Sequence, residues 1–333
     1  MTFFQKMVYG LSRYLGRPLL PPQMMILSLT NQCNLQCGIC SIKQPVDAPR
    51  GAVDVAKIFD IIDQACQMKI SQVVLSGGEP FLVKEIFEIS DYIKKRNMDV
   101  SVTTNGYYNR EMIERIAASS IDHVHFSFDG NKDAHDRLRG AGAYDRLLQN
   151  IVLLRKLNPV KSIGVGTVIY RNNCGQLYEM TNTADRLGVN VMNFIPYLVR
   201  NTDPQNSPKG VQASDLWPQE DDVMRLKDDF KMILTHEYQN LRIDWNPDAG
   251  LLEDYYSLKS IHKKCAAGYK SMIITAGEKR NGRMSSCVFF CQDSCGDVYR
   301  MGIRQAWYSS KAGQMRRKAQ KCKNPCLQFC HYF

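Results

Sequence analysis

The chain alternates short apolar runs with longer segments in which apolar residues recur every three or four positions. The short runs are typical of buried strands, and the longer segments are typical of amphipathic helices that pack on a sheet. Asp54 and Asn109 stand where they would cap two of these helices. The alternation predicts a parallel sheet curved into an open barrel. The predicted strands are Met24 to Thr30, Gln72 to Leu75, Val100 to Thr104, His123 to Phe128, Ile163 to Tyr170 and Val191 to Pro196.

Beyond residue 210 this alternation ends, and a long helical pattern is followed by a cysteine-rich end. With 333 residues and 44% hydrophobic content, the chain can bury one large core with an appendage. The sequence therefore predicts an α/β barrel followed by a small cysteine-rich α+β domain. We expect four regions: an N-terminal amphipathic helix (1–22), the barrel core (23–210), a helical linker covering the barrel mouth (211–262) and the cysteine-rich domain (263–333).

Three cysteines follow the first predicted strand directly. Cys33, Cys37 and Cys40 lie in the run CNLQCGIC. A [4Fe–4S] cluster is normally held by four thiolates, so three on one short loop leave one iron open to a small molecule. Gly38 would let the backbone curl around such a cluster without a clash at Cβ. The alternative is that the loop supplies three ligands to a structural zinc ion.

The order of the motifs along the chain resembles the radical S-adenosylmethionine (SAM) superfamily. The cysteine loop is followed by VVLSGGEP, then by VHFSFDG and then by HDRLRG. The resemblance implies a partial (β/α)6 barrel that binds SAM at the carboxyl ends of its strands. It assigns the GGEP turn to the SAM amino group, the VHFSFDG strand end to the ribose and an arginine to the methionine carboxylate. The nominated residues are Gly77, Gly78, Glu79, Pro80, Ser127, Asp129 and Arg139.

These assignments have plainer alternatives. Ser127 and Asp129 would, without a ligand, simply end a strand and cap a turn. Arg139 would then be a surface arginine.

The cysteine-rich end resembles the SPASM/Twitch extensions of the same superfamily. The run that begins at Cys265 is similar to their hairpin, and MGIRQAWYSSKAGQMRRKA fits the short helix that follows it. The resemblance implies one auxiliary [4Fe–4S] cluster, because a full SPASM pattern needs more cysteines than remain before Phe333. Surplus cysteines replace an assigned ligand, complete a second cluster or stay ordinary thiols, and zinc is the alternative metal. The expected ligands are four of Cys265, Cys287, Cys322, Cys326 and Cys330, with Cys291 and Cys295 as the surplus pair.

Charge and cysteine content suggest which partners the protein has and where it is located. The formal net charge of +10 suggests an anionic substrate, a nucleic acid or an acidic protein partner. The sequence has no run of about eighteen apolar residues, and its N-terminus lacks the apolar stretch of a secretory signal. Twelve cysteines in such a chain favour metal binding over disulfides, so we expect a reducing, cytoplasmic location.

The N-terminal segment predicts an amphipathic helix with Lys6, Arg13 and Arg17 away from its apolar stripe. This helix either packs on the barrel or makes a peripheral contact with a membrane surface, where it would reach a lipid-linked substrate. The stripe consists of Phe3, Phe4, Met7, Val8, Leu11 and Leu15.

The resemblance also implies radical chemistry. With an electron from a donor such as flavodoxin or ferredoxin, SAM is cleaved and a 5′-deoxyadenosyl radical takes a hydrogen atom from the substrate. An auxiliary cluster near the substrate would make the net reaction an oxidation, and no residue is assigned as the base. We expect a small polar substrate, sugar-, aminocyclitol- or nucleotide-like, because a leader-binding domain has no room before Met24. The alternatives are a peptide-modifying enzyme and a non-catalytic iron–sulfur or zinc module.

Overall fold

The computed structural model describes residues 3–40, 53–197, 215–245, 249–257, 259, 265–277, 282–287 and 293–322. Within these ranges the chain alternates strands and helices through the first two thirds of its length. Two short 3₁₀ helices, Pro80–Leu82 and Arg171–Asn173, follow strands of the sheet. The α-helices are α1 (Phe3–Tyr14), α2 (Val55–Gln67), α3 (Ile86–Lys94), α4 (Arg110–Ala118), α5 (Lys132–Arg139), α6 (Ala143–Leu157), α7 (Leu177–Arg186), α8 (Glu220–Thr235), α9 (Ala249–Tyr256), α10 (Val298–Met301), α11 (Ile303–Tyr308) and α12 (Ser310–Gln320).

One ten-stranded sheet forms the centre of the described structure. The first seven strands pair in sequence order, and all of these pairs are parallel. The eighth pairs in parallel with the other side of the first, and the last two continue the sheet antiparallel. The carboxyl ends of the parallel strands therefore meet at one edge. The strands are β1 (Met24–Thr30), β2 (Gln72–Gly77), β3 (Asp99–Thr104), β4 (His123–Ser127), β5 (Ser162–Ile169), β6 (Val191–Pro196), β7 (Arg242–Trp245), β8 (Ser271–Thr275), β9 (Arg283–Ser285) and β10 (Gly296–Asp297).

Local sequence signals explain where the helices begin and which face they bury. Asp54 caps α2 by accepting a hydrogen bond from the Lys57 N–H (3.2 Å), and Asn109 caps α4 through the Met112 N–H (3.1 Å). Both caps confirm the sequence prediction. The buried face of α2 has the expected three- and four-residue spacing and consists of Ile58, Ile61, Ile62 and Ala65.

The sheet extends beyond the six strands that periodicity predicts. β7 lies in the region expected to be a helical linker, and β8 in the cysteine-rich region pairs with β1 from Met24 opposite Ser271 onward. β7 has four residues of which two are charged, so no apolar run marks it, whereas β8 lies in the run that was similar to a hairpin and pairs antiparallel with β9. The four-region division remains a prediction, and the sheet continues across its boundaries at residues 210 and 262.

Candidate functional site

The three predicted cluster cysteines follow β1 on one loop and line a common cavity. Cys33 and Cys37 are buried, and Cys40 is half-buried. The Gly38 N–H donates to the Leu138 carbonyl (2.8 Å), which ties this loop to α5. A Cβ added at Gly38 would meet only Leu138, at 3.9 Å, so packing within the protein does not require glycine here. The role predicted for Gly38 concerns the backbone around a bound cluster, and it stays a prediction.

The GGEP turn lies directly against the end of β1. The Gly78 N–H donates to the Thr30 carbonyl (2.6 Å). A Cβ at Gly77 would lie 2.3 Å from the Thr30 oxygen, and one at Gly78 would lie 2.1 Å from the Gln32 oxygen. Gly77 also has a φ of 133°, which other residues rarely adopt. The two glycines border the cavity and also allow two backbone segments to touch, a role that the sequence did not suggest.

Glu79 is fully buried, and its carboxylate is engaged within the protein. It accepts hydrogen bonds from the Thr104 hydroxyl (3.0 Å), the Asn105 N–H (2.8 Å) and the Phe81 N–H (3.1 Å). Burial raises the pKa of this carboxyl, and the donors oppose that rise. Neither Glu79 nor Pro80 belongs to the described residues that line the cavity. Their contact with SAM stays a prediction, while the observed role of Glu79 is to join β2 to β3.

Asn105 is a site residue that sequence reasoning missed. Its side-chain amide donates to the Asn34 amide oxygen (2.7 Å) and to the Cys33 sulfur (3.6 Å), and Asn34 in turn donates to the Tyr107 carbonyl (2.8 Å). Burial raises the pKa of the Cys33 thiol, and the bond from Asn105 opposes that rise. The available signal is its position directly after β3, in an Asn-Gly pair of the kind that marks a turn.

Asp129 and Arg139 form a buried ion pair beside the cysteine loop. The Asp129 carboxylate accepts from Arg139 Nε (2.6 Å) and Nη2 (2.5 Å), and its other oxygen accepts from the Val168 N–H (2.7 Å). Arg139 Nη1 lies 3.9 Å from the Cys37 sulfur. Burial raises the pKa of that thiol, and the guanidinium opposes the rise. The ion pair thus fixes a positive group at the cavity wall, and the alternative of a surface arginine is wrong.

One cavity of about 280 Å³ brings most of the predicted residues together at the carboxyl edge of the sheet. Asp129, like Glu79 and Pro80, lies behind its wall. The described lining consists of the predicted Cys33, Cys37, Cys40, Gly77, Gly78, Ser127 and Arg139, and of Ile39, Ser76, Thr103, Thr104, Asn105, Val168, Ile195, Pro196 and Tyr197, which were not nominated.

Below this cavity the interior of the barrel is polar. Asn193 lies two residues before the lining residue Ile195 on the same face of β6, and its buried amide oxygen has no hydrogen-bond partner among the described residues. His125 faces the same interior and packs against Gly164, where a Cβ would lie 2.3 Å from the imidazole Nδ1. Burial lowers the pKa of His125 to about 4, so the ring is neutral near pH 7. Gly166, between Ser127 and Asn193 in the sheet, leaves open space.

The predicted auxiliary-cluster cysteines are only partly within the described chain. Cys265 accepts a hydrogen bond from the Ala267 N–H (3.4 Å), and its pKa is raised by burial and by the nearby Cys322. Cys295 is buried, 3.5 Å from the Ser286 hydroxyl. The ligand set stays a prediction, because the description includes buried Cys287 but leaves Cys291, Cys326 and Cys330 outside its ranges.

The side chains that line the main cavity suit the iron–sulfur cluster that the sequence implies. Within the described ranges, no three His, Cys, Asp or Glu side chains are grouped closely enough to hold a single metal ion. The three loop thiols instead surround a shared space, which suits a multi-iron cluster with one position open. The neighbouring guanidinium and exposed glycine backbone suit the charged end of an amino acid.

These features define a class: an open α/β barrel that binds a cofactor at the carboxyl ends of its strands. Residues 27–180 match the family model described as Radical SAM superfamily. The chain therefore contains a radical SAM domain, as its motifs predicted. Such a domain implies a [4Fe–4S] cluster that works with SAM, and the cysteine-rich end agrees with SPASM-type relatives.

Two curated relatives illustrate the range of similar proteins. The chain is 30% identical over 171 residues to the AdoMet-dependent heme synthase of Methanosarcina barkeri (strain Fusaro / DSM 804), covering 50% of this chain and 48% of that protein. It is 30% identical over 213 residues to the mycofactocin maturase MftC of Mycobacterium tuberculosis (strain ATCC 25618 / H37Rv), and the match covers 62% of this chain and 51% of that protein. The chain spans about half the length of the curated relatives it matches.

Among solved structures, the fold is similar to that of SuiB from Streptococcus suis bound to S-adenosylmethionine. The TM-score is 0.71 at 18% sequence identity, and the match covers 94% of this chain and 71% of that chain. This likeness confirms the fold class.

Proposed function

We propose that this chain is a radical SAM enzyme whose cluster and SAM share the cavity at the carboxyl edge of the barrel. The observation that carries the proposal is the convergence of three loop thiols, the double-glycine turn and a buried guanidinium on one space of about 280 Å³. A module that only binds a partner has no need for such a convergence, so the non-catalytic alternative is disfavoured.

In this proposal the thiolates of the cysteine loop hold the cluster, and SAM binds to the Gly77–Gly78 backbone, Ser127 and Arg139. When bound, the cluster and SAM supply a one-electron cleavage that yields a 5′-deoxyadenosyl radical able to abstract a hydrogen atom. Asp129 is a positioning residue, because it holds two nitrogens of Arg139 and leaves the third directed toward the cysteine loop. Glu79 is a second positioning residue, which fixes the glycine turn against β3.

We propose a peptide as the substrate class. Curated relatives include mycofactocin maturases and a PqqA peptide cyclase, and SuiB has been solved with its precursor peptide SuiA. These relatives support the peptide alternative better than the small polar substrate favoured from the sequence. The argument from a missing leader-binding domain carries no weight here, since the chain spans about half the length of those curated relatives.

A small polar molecule is the second candidate. One observation in its favour is the polar interior below the cavity, where Asn193 has an unsatisfied amide oxygen and His125 is neutral. Another is the similarity to an AdoMet-dependent heme synthase and a probable GTP 3′,8-cyclase.

For the redox chemistry we propose one auxiliary [4Fe–4S] cluster in the cysteine-rich end and a net oxidation of the substrate. An auxiliary cluster near the substrate would accept the electron that the product radical gives up. The net charge of +10 suits an acidic electron donor such as flavodoxin or ferredoxin.

The activity is tested by anaerobic reconstitution with iron and sulfide, followed by dithionite and SAM. We expect 5′-deoxyadenosine from the wild type and none from Cys37→Ala. Cys66→Ala is the matched control, because this half-buried thiol lies on α2 and contacts the Arg96 carbonyl (3.6 Å), away from the cavity. Fully loaded protein that forms no 5′-deoxyadenosine would overturn the proposal.

The substrate class is tested by co-expressing the chain with each short open reading frame encoded beside it. A change in peptide mass that appears with the wild type and not with Cys37→Ala supports a peptide substrate. Unchanged peptides, together with deuterium transfer from a labelled sugar or nucleotide into 5′-deoxyadenosine, would replace it with the small-molecule candidate.

A further inference from the structure

The N-terminal helix α1 is fixed to the body of the protein through one face. Tyr9 and Ser12 are buried at 1% and 0% exposure. The Tyr9 hydroxyl donates to the Pro21 carbonyl (3.4 Å), and the Ser12 hydroxyl accepts from the Leu19 N–H (3.0 Å). Gln320 of α12 donates to the carbonyl of Arg13 (2.7 Å), so the helix also contacts the C-terminal region.

The opposite face of α1 and the turn after it present apolar side chains to solvent. Met7, Leu11 and Tyr14 recur at the spacing of one helical face and are 56%, 49% and 87% exposed. Leu15 and Leu19 extend the patch at 46% and 40% exposure. Five of the twelve exposed large hydrophobic side chains in the described chain thus lie within thirteen residues. We call this set, Met7 to Leu19, the N-terminal apolar face.

Exposed basic side chains follow α1 and occur on the segment that contacts it. Arg17 is exposed three residues after the helix, and Arg317 on α12 and Lys321 directly after α12 are exposed on either side of Gln320, which contacts α1. The first forty residues contain no aspartate or glutamate, and neither does α12. An apolar helix face with a basic margin is typical of helices that lie in the plane of an anionic membrane.

We propose that the N-terminal apolar face binds the surface of an anionic lipid bilayer. The apolar side chains would enter the boundary between headgroups and acyl chains, and Arg17, Arg317 and Lys321 would meet the lipid phosphates. A second copy of the chain is a poorer occupant, because pairing two such faces would bring two basic margins together. Binding would be peripheral, since no helix in the described ranges has the length and apolarity needed to cross a bilayer.

The experiment is sedimentation of the reconstituted full chain with lipid vesicles. We expect binding to equimolar phosphatidylcholine and phosphatidylglycerol, much weaker binding to phosphatidylcholine alone, and loss of binding in high salt. The double variant Leu11→Glu with Leu15→Glu should bind more than about tenfold more weakly. Arg17→Glu with Lys321→Glu should lose the preference for the anionic lipid.

The control variant is Val160→Glu, which changes an apolar side chain that is 93% exposed in the connection between α6 and β5. It should bind vesicles like the wild type. Cluster absorbance and 5′-deoxyadenosine formation, measured without vesicles, show whether each variant is folded. The proposal is overturned if a folded double variant binds vesicles like the wild type, or if it only converts a dimer into a monomer in sedimentation velocity while neither form binds lipid.

Discussion

The two sides of the cavity are built in different ways. Toward β1 to β4 the two buried carboxylates are satisfied within the protein: Glu79 accepts three hydrogen bonds and Asp129 holds Arg139. Toward β5 and β6, Asn193 has a buried oxygen without a partner in the described chain, and Gly166 leaves open space. An unsatisfied buried group costs free energy unless a ligand satisfies it. In the proposed function the side toward β1 to β4 is the cofactor side, which the protein preorganises, and the side toward β5 and β6 is the substrate side, which we expect the ligand to complete.

The largest effect is expected from Gly78→Ala on the cofactor side. Its new Cβ would lie 2.1 Å from the Gln32 backbone oxygen, so the turn and the cysteine loop must separate. We expect 5′-deoxyadenosine formation to fall by more than about a hundredfold. Gly166→Ala is the matched control from the substrate side, because a Cβ there meets nothing within 4 Å. Equal rates for both variants, measured without substrate, would contradict the difference between the two sides.

The largest effect on stability is expected from Arg139→Leu, which leaves the Asp129 carboxylate buried without its charge partner. The free energy of unfolding should fall by about 3–5 kcal/mol, as for other broken buried ion pairs. Urea unfolding of the unloaded protein measures this change. Arg137→Leu, an exposed change on the same helix, should stay within about 0.5 kcal/mol of the wild type. A similarly small change in the free energy of unfolding for Arg139→Leu would mean that the ion pair with Asp129 does not stabilise the fold.

His135 makes the free energy of unfolding depend on pH. Its Nδ1 accepts from the Asp129 N–H (3.2 Å), and burial lowers its pKa from 6.5 to about 4. As the pH falls below 6.5 the unfolded chain gains a proton that the folded chain does not, so the free energy of unfolding decreases until about pH 4. The full contribution is on the order of 3 kcal/mol.

Urea unfolding at about pH 7 and about pH 5 measures this contribution. His135→Gln should show a smaller loss of stability between the two pH values than the wild type. Exposed His236→Gln should show the same loss as the wild type. Identical pH dependence in all three proteins would refute the assignment to His135.

The smallest expected effect lies on the substrate side, at Asn193→Leu. Removing an unsatisfied buried amide should leave the free energy of unfolding unchanged or slightly higher. Substrate KM should rise about tenfold, because the substrate loses a hydrogen-bonding partner. Uncoupled 5′-deoxyadenosine formation should not change. A fall in stability without a change in KM would assign Asn193 to the fold rather than to the substrate.

The sequence was sufficient for the parts of the structure that depend on nearby residues. β1 has the predicted bounds, and both helix caps are where the residue types place them. The cysteine loop and the double-glycine turn were identified because their chemistry lies in consecutive residues.

The remaining contacts depend on residues that are distant in sequence. Asp129 meets Val168 from another strand, and Asn105 meets Cys33 across 72 positions. No periodic pattern encodes such pairs. The sequence therefore cannot distinguish a carboxylate buried behind the cavity wall from a carboxylate that contacts a ligand. The pairing of β8 with β1 was missed for the same reason, since it joins distant parts of the chain.

The pairing of β8 with β1 protects the strand that leads into the cysteine loop. With β8 in place, β1 has a neighbour on both sides, and its backbone amides and carbonyls are shielded from other chains. Removal of the chain from residue 265 onward would turn β1 into an open sheet edge with unpaired backbone groups along Met24 to Ser28. The cysteine-rich end therefore also prevents aggregation through an exposed edge of the sheet.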